Sequence, residues 1–115
     1  MKSIKQVQLL SVLVLGLGVT PAFAAEDAAK IISPTAGAKV PAGVKSKISY
    51  DVTIGARGDH AHLYVDGKEA AILRKPKDER NLKKLAAGEH EICVKVVDSG
   101  HTPIGAQDCV KVTAE

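Results

Sequence analysis

His60-Ala61-His62-Leu63-Tyr64-Val65-Asp66-Gly67-Lys68-Glu69-Ala70-Ala71-Ile72-Leu73 reads as two short strands joined by a tight turn. Asp66-Gly67 decides it. A two-residue hairpin loop of the favoured hand needs positive φ at both central positions, which Gly adopts at no steric cost and Asp tolerates. Before the turn, Ala61, Leu63 and Val65 alternate with His60, His62 and Tyr64, so one face of that strand is apolar. The alternation turns the apolar residues toward a core and points both imidazoles outward together.

The same rhythm extends in both directions. Strands are expected near Lys30–Ser33, Lys45–Ile54, His60–Val65, Glu69–Leu73, Asn81–Lys84, Glu89–Val97 and Ala106–Thr113. Pro34, Gly37, Pro41-Ala42-Gly43, Gly55 to Asp59, Ala86-Ala87-Gly88 and Gly100 to Gly105 punctuate them. No segment of useful length sustains a helical period. Six or seven short strands spaced in this way predict an all-β, antiparallel sandwich.

The first 24 residues read as a secretory signal. Lys2 and Lys5 precede an apolar run from Leu9 to Val19, and Ala22-Phe23-Ala24 supplies small residues where a signal peptidase cuts. Cleavage after Ala24 leaves one domain, 25–115, in the periplasm or outside the cell, with no membrane insertion. No cysteine follows the apolar run, which argues against a lipid anchor. The whole chain carries 16 basic and 13 acidic residues; two lysines leave with the signal and no acid does, so 14 face 13 and the balance falls to +1. Only Tyr50 and Tyr64 then remain as aromatic residues. A chain so nearly neutral and so poor in aromatic faces is not built for nucleic acid or for stacking on sugars.

Cys93 and Cys109 are the two cysteines, and in an oxidising compartment they are expected to pair. Such a bridge contributes about 3 kcal/mol in the chain-entropy view, useful to a domain of this size. Period-two alternation sets Ile92, Val94 and Val96 on one face and Cys93, Lys95 and Val97 on the other; Cys109 and Lys111 likewise oppose Val110 and Val112. The bridge thus falls on the outward face, across neighbouring strands, and centres their hairpin on His101.

Ile32-Ser33-Pro34, Gly37-Ala38-Lys39-Val40, Tyr64-Val65-Asp66-Gly67-Lys68 and the run from Leu85 through Gly88-Glu89-His90 to Val96-Val97-Asp98 resemble bacterial immunoglobulin-like modules over nearly all of 25–115. The resemblance implies the fold but little about activity, because such modules serve adhesion, spacing and ligand binding alike. The tryptophan and inter-sheet disulfide of antibody domains are missing. His60-Ala61-His62-Leu63 with His101-Thr102-Pro103 is also similar to small bacterial secreted proteins that carry a His-rich strand and a later His-Thr-Pro.

Immunoglobulin-like topology pairs the His60–Val65 strand antiparallel with the Glu89–Val97 strand. The start of the first then lies beside the end of the second, bringing His60 and His62, about 7 Å apart along the strand, near His101. Asp59 and Asp98 are candidates for carboxylates behind the imidazoles. Sulfur-free imidazole ligation suits copper(II), zinc or nickel. Met1 leaves with the signal, so no thioether site is available. A shared ion requires nitrogens of His62 and His101 to come within about 4–5 Å of each other. Outward histidines near loops are also common as solvated or hydrogen-bonded groups, and as pH-sensitive or partner-binding ones. His90, at the opposite end of its strand, reads as structural.

Enzyme chemistry finds no footing: no Gly-x-Ser-x-Gly elbow occurs, and Ser33, Ser46, Ser49 and Ser99 have no evident base. The basic run Arg74, Lys75, Lys77, Arg80, Lys83, Lys84 reads as a solvated connection around Pro76. Two functions remain: a monomeric metal-binding module with copper or zinc on His60, His62 and His101, or a structural or protein-interaction module of the cell envelope.

Overall fold

The computed structural model describes residues 25–115, so the expected signal segment lies outside the described residues. Eight strands form two sheets: β1 (Ala28–Ser33), β2 (Lys39–Val40), β3 (Ser46–Thr53), β4 (His60–Val65), β5 (Lys68–Leu73), β6 (Lys77–Leu82), β7 (Gly88–Val97) and β8 (Pro103–Ala114). One sheet has the order β1-β3-β6 and the other β2-β8-β7-β4-β5. The protein is an all-β sandwich of the immunoglobulin-like type, with no helix among the described residues.

The core follows the alternation. Ile48, Tyr50 and Val52 from β3 meet Ala61 and Leu63 from β4, Ile92, Val94 and Val96 from β7, and Val110 and Val112 from β8, all buried. Each residue removed from water in this way gains on the order of 1.5–3 kcal/mol for a Val, Leu or Ile side chain, which sets the register of every inner strand. Tyr50 keeps its phenol satisfied by donating to the Lys75 carbonyl at 2.9 Å.

Asp66 and Gly67 take φ of 52° and 82°, and Val65 pairs with Lys68 across them, as the turn chemistry requires. The hairpin contains one irregularity that alternation did not reveal. Leu63 pairs with Ala71 but Tyr64 with Glu69, so Ala70 bulges out of β5.

Two expectations need correction. The stretch around Pro76 is not simply a solvated connection, because Lys77–Leu82 forms the edge strand β6 along β3. Its strand character comes from the partner: Leu82 is buried and Asp78 and Arg80 half-buried, while Lys77, Glu79 and Asn81 face water, and charged residues are tolerated on an edge. The strand therefore begins four residues before the expected Asn81. There is also an additional strand, the two-residue β2, which runs parallel to β8, so the sheets are not antiparallel throughout.

Candidate metal centre

β4 pairs antiparallel with β7, His60 opposite Val97 and His62 opposite Lys95. The start of β4 thus lies at the end of β7, where the chain turns through Asp98–Thr102 into β8. Asp98 builds that turn. Its backbone N–H donates to the Thr102 carbonyl at 2.9 Å, its Oδ1 accepts from the N–H groups of Gly100 and Thr102, and its carbonyl accepts from the His101 N–H. These bonds hold His101 at φ 66°, a left-handed conformation that a non-glycine residue adopts only when its surroundings fix it. Asp98 therefore positions the loop of His101 and is not a carboxylate behind an imidazole.

The three rings converge. His60 Nε2 lies 3.0 Å from His62 Nε2, and His62 Nε2 lies 3.1 Å from His101 Nδ1. One nitrogen from each residue falls within 4.8 Å of the others. The separation between His62 and His101 is well inside the limit that a shared ion sets. His60 and His62 do not stand in solvent as alternation suggested. They do point away from the apolar core, but they are 5% and 1% exposed, because the ring centroids crowd to 4.9, 4.7 and 5.1 Å and bury one another. His101 is the exposed member.

Two carboxylates stand behind the trio. Asp59 Oδ2 accepts from His60 Nδ1 at 2.8 Å. Glu69 Oε1 lies 3.2 Å from His62 Nδ1, an ion-pair contact at the far side of that ring. Sequence reasoning missed Glu69, although the signal was present: a two-residue turn at Asp66-Gly67 sets Glu69 opposite Tyr64, on the histidine face of β4. Desolvation lowers the pKa of His62, the nearby His60 and His101 add to this, and Glu69 opposes it. Burial thus favours the neutral ring, the form in which an imidazole offers a lone pair to a metal.

The donor and acceptor roles among the three rings follow from their tautomers. A neutral His60 that donates from Nδ1 to Asp59 presents a bare lone pair at Nε2. A neutral His62 that keeps its proton on Nδ1, toward Glu69, likewise presents its Nε2 lone pair to the centre. A cation at the centre would be held by the three facing nitrogens, with Glu69 and Asp59 at the far nitrogens of His62 and His60.

Cys93 and Cys109 lie directly opposite each other on β7 and β8 and form the expected disulfide. Glu91 is near both sulfurs, but a disulfide offers no thiolate to a metal. His90 sits apart. Its Nδ1 donates to Asp66 and its Nε2 to the Ala86 carbonyl, both at 2.6 Å. These bonds raise its pKa, the bond to Asp66 first. A groove of about 350 Å³ runs beside it over Leu63, Leu82 and Leu85, with Lys68, Lys83 and Lys84 on its rim.

No protein-family model matches the chain, and no curated protein matches it by sequence. Among solved structures it is similar to the fibronectin(III)-like modules of Clostridium thermocellum CbhA, with a TM-score of 0.63 and 22% identity. The match covers 76% of this chain and 96% of that one. At that identity the likeness speaks for the sandwich fold alone.

Proposed function

We propose that the chain is a small immunoglobulin-like module of the bacterial periplasm that binds a divalent ion, copper or zinc, through His60, His62 and His101, for storage, delivery or sensing. One observation carries this reading: three imidazole nitrogens face one another at 3.0 and 3.1 Å, two of them on rings that are almost wholly buried. A buried polar cluster persists against its desolvation cost only when something satisfies it. Asp59 and Glu69 provide two negative charges behind the rings, which balance a divalent ion. The role is binding rather than catalysis.

The test is a calorimetric titration of oxidised 25–115 with copper(II) and with zinc, alongside His62→Ala and His101→Ala. Stoichiometric binding tighter than about micromolar, or about −8 kcal/mol, and lost in both variants, is the expected result. Weak binding that ignores both substitutions overturns the reading and leaves a structural or interaction module of the cell envelope.

A further inference from the structure

We infer that an ion held by the three imidazoles keeps a coordination position open to an exogenous lone-pair donor, reached from the His101 side. This rests on the metal-binding reading above and adds what that reading leaves unstated, the kind of ligand that completes the centre.

The spacing of the donors is the first reason. His62 Nε2 lies 3.0 Å from His60 Nε2 and 3.1 Å from His101 Nδ1, so the facing nitrogens gather around His62.

The second reason is an inventory of what the chain can add. Among the described residues, no fourth His, Cys, Asp or Glu donor joins the cluster. Asp59 is engaged at the far nitrogen of His60, and Glu69 lies against the far nitrogen of His62. Asp98 spends Oδ1 on two backbone N–H groups of its own turn. Both cysteines are locked in the disulfide. A site that supplies three protein ligands and no fourth has the composition of an open centre, whereas closed structural sites supply four.

Access is the third. His60 and His62 close the inner side of the cluster, with Val97 fully buried opposite His60. His101, on its turn, is exposed. An incoming donor meets the ion beside His101, where water resides until a small anion or a side chain of another molecule replaces it, one lone pair for one.

Azide is the probe. Copper(II)-loaded protein is titrated with sodium azide and followed by optical absorption and electron paramagnetic resonance, with water-proton relaxation read in parallel. The expected result is a saturable new azide-to-copper absorption, a shifted resonance spectrum and a fall in relaxation enhancement, with copper still bound at one equivalent. Unchanged spectra at saturating azide, with copper still bound, overturn the inference and leave metal binding intact. Azide that strips the copper, seen as return of the metal-free histidine NMR signals, also overturns it. Failure to take up stoichiometric copper in the first place removes both readings, and calorimetry in the absence of azide identifies that case.

Discussion

His62 occupies the centre of the trio and depends most on its neighbours. Its Nε2 faces two other imidazoles, its Nδ1 faces the Glu69 carboxylate, and it is 1% exposed. His60 differs because its carboxylate is in register: Asp59 takes the Nδ1 proton at 2.8 Å, fixing the tautomer and aiming Nε2 inward. Replacing Asp59 by Asn removes the charge that strengthens this bond and keeps the shape. Asp59→Asn is expected to weaken zinc or copper affinity by about 10–100-fold without changing stoichiometry, as read by competition with a chelator. An unchanged affinity would mean that Asp59 does not orient the ring.

At the scale of elements, the β4–β5 hairpin and the β7–β8 hairpin do different work. The first carries His60 and His62 on a buried strand; the second brings His101 over them on a braced turn. The β4–β5 turn is itself tied to the rest of the fold through His90. Asp66 accepts from His90 Nδ1 and from the Glu91 N–H, and His90 Nε2 reaches Ala86 in the connection before β7. Both ring nitrogens face acceptors, so the imidazolium is the form that fits. The sign of its pH dependence follows. His90, with its pKa raised, contributes stability that is complete below the ordinary value of 6.5 and is lost as pH rises through the raised value. Asp66, with its pKa lowered by the His90 bond and then by the Glu91 N–H, contributes above 3.8 and loses that contribution as pH falls through the lowered value. The pair therefore stabilises most between 3.8 and 6.5. His90→Gln should cost most in urea melts at about pH 5 and least on the alkaline side of the raised His90 pKa. A cost that does not vary with pH would show that the bond is not made by the charged ring.

The whole molecule gains from closure at several places. The disulfide joins β7 to β8 across 16 positions of sequence, and Ile31 of β1 ties the other sheet to β8 by donating its N–H to Asp108 at 2.8 Å. Gly58 permits a close approach in the loop before β4: an added Cβ there would come within 2.6 Å of Val96 Cγ1. Asp27 holds the same loop, accepting from the N–H groups of Gly55, Arg57 and Gly58. Removing the disulfide by Cys93→Ser with Cys109→Ser is expected to lower unfolding free energy by about 3 kcal/mol. The backbone ladder beyond it, Val94–Asp108 and Lys95–Gln107, still positions the His101 turn. Zinc at about 100 times its dissociation constant should therefore stabilise both proteins by a similar amount, about 2.7 kcal/mol. Loss of the zinc effect in the double variant alone would make the disulfide part of the site.

The sequence by itself determined the sandwich, because period-two burial and a turn that demands positive φ are local properties that any packing must respect. It also determined the Cys93–Cys109 bridge and the meeting of His101 with His60 and His62, since pairing in such a fold sets the start of one strand beside the end of another. Alternation separates the two faces of a strand, but it does not say what covers the second face. Only the tertiary structure decided that His60 and His62 are buried, because that depends on a turn some 40 residues away folding over them. It likewise decided that Asp98 spends its carboxylate on the turn, that Glu69 stands behind His62, and that a charged run becomes strand β6 beside β3. Each of these rests on which backbone groups and edges happen to lie adjacent, which is a property of the packed chain and not of any segment.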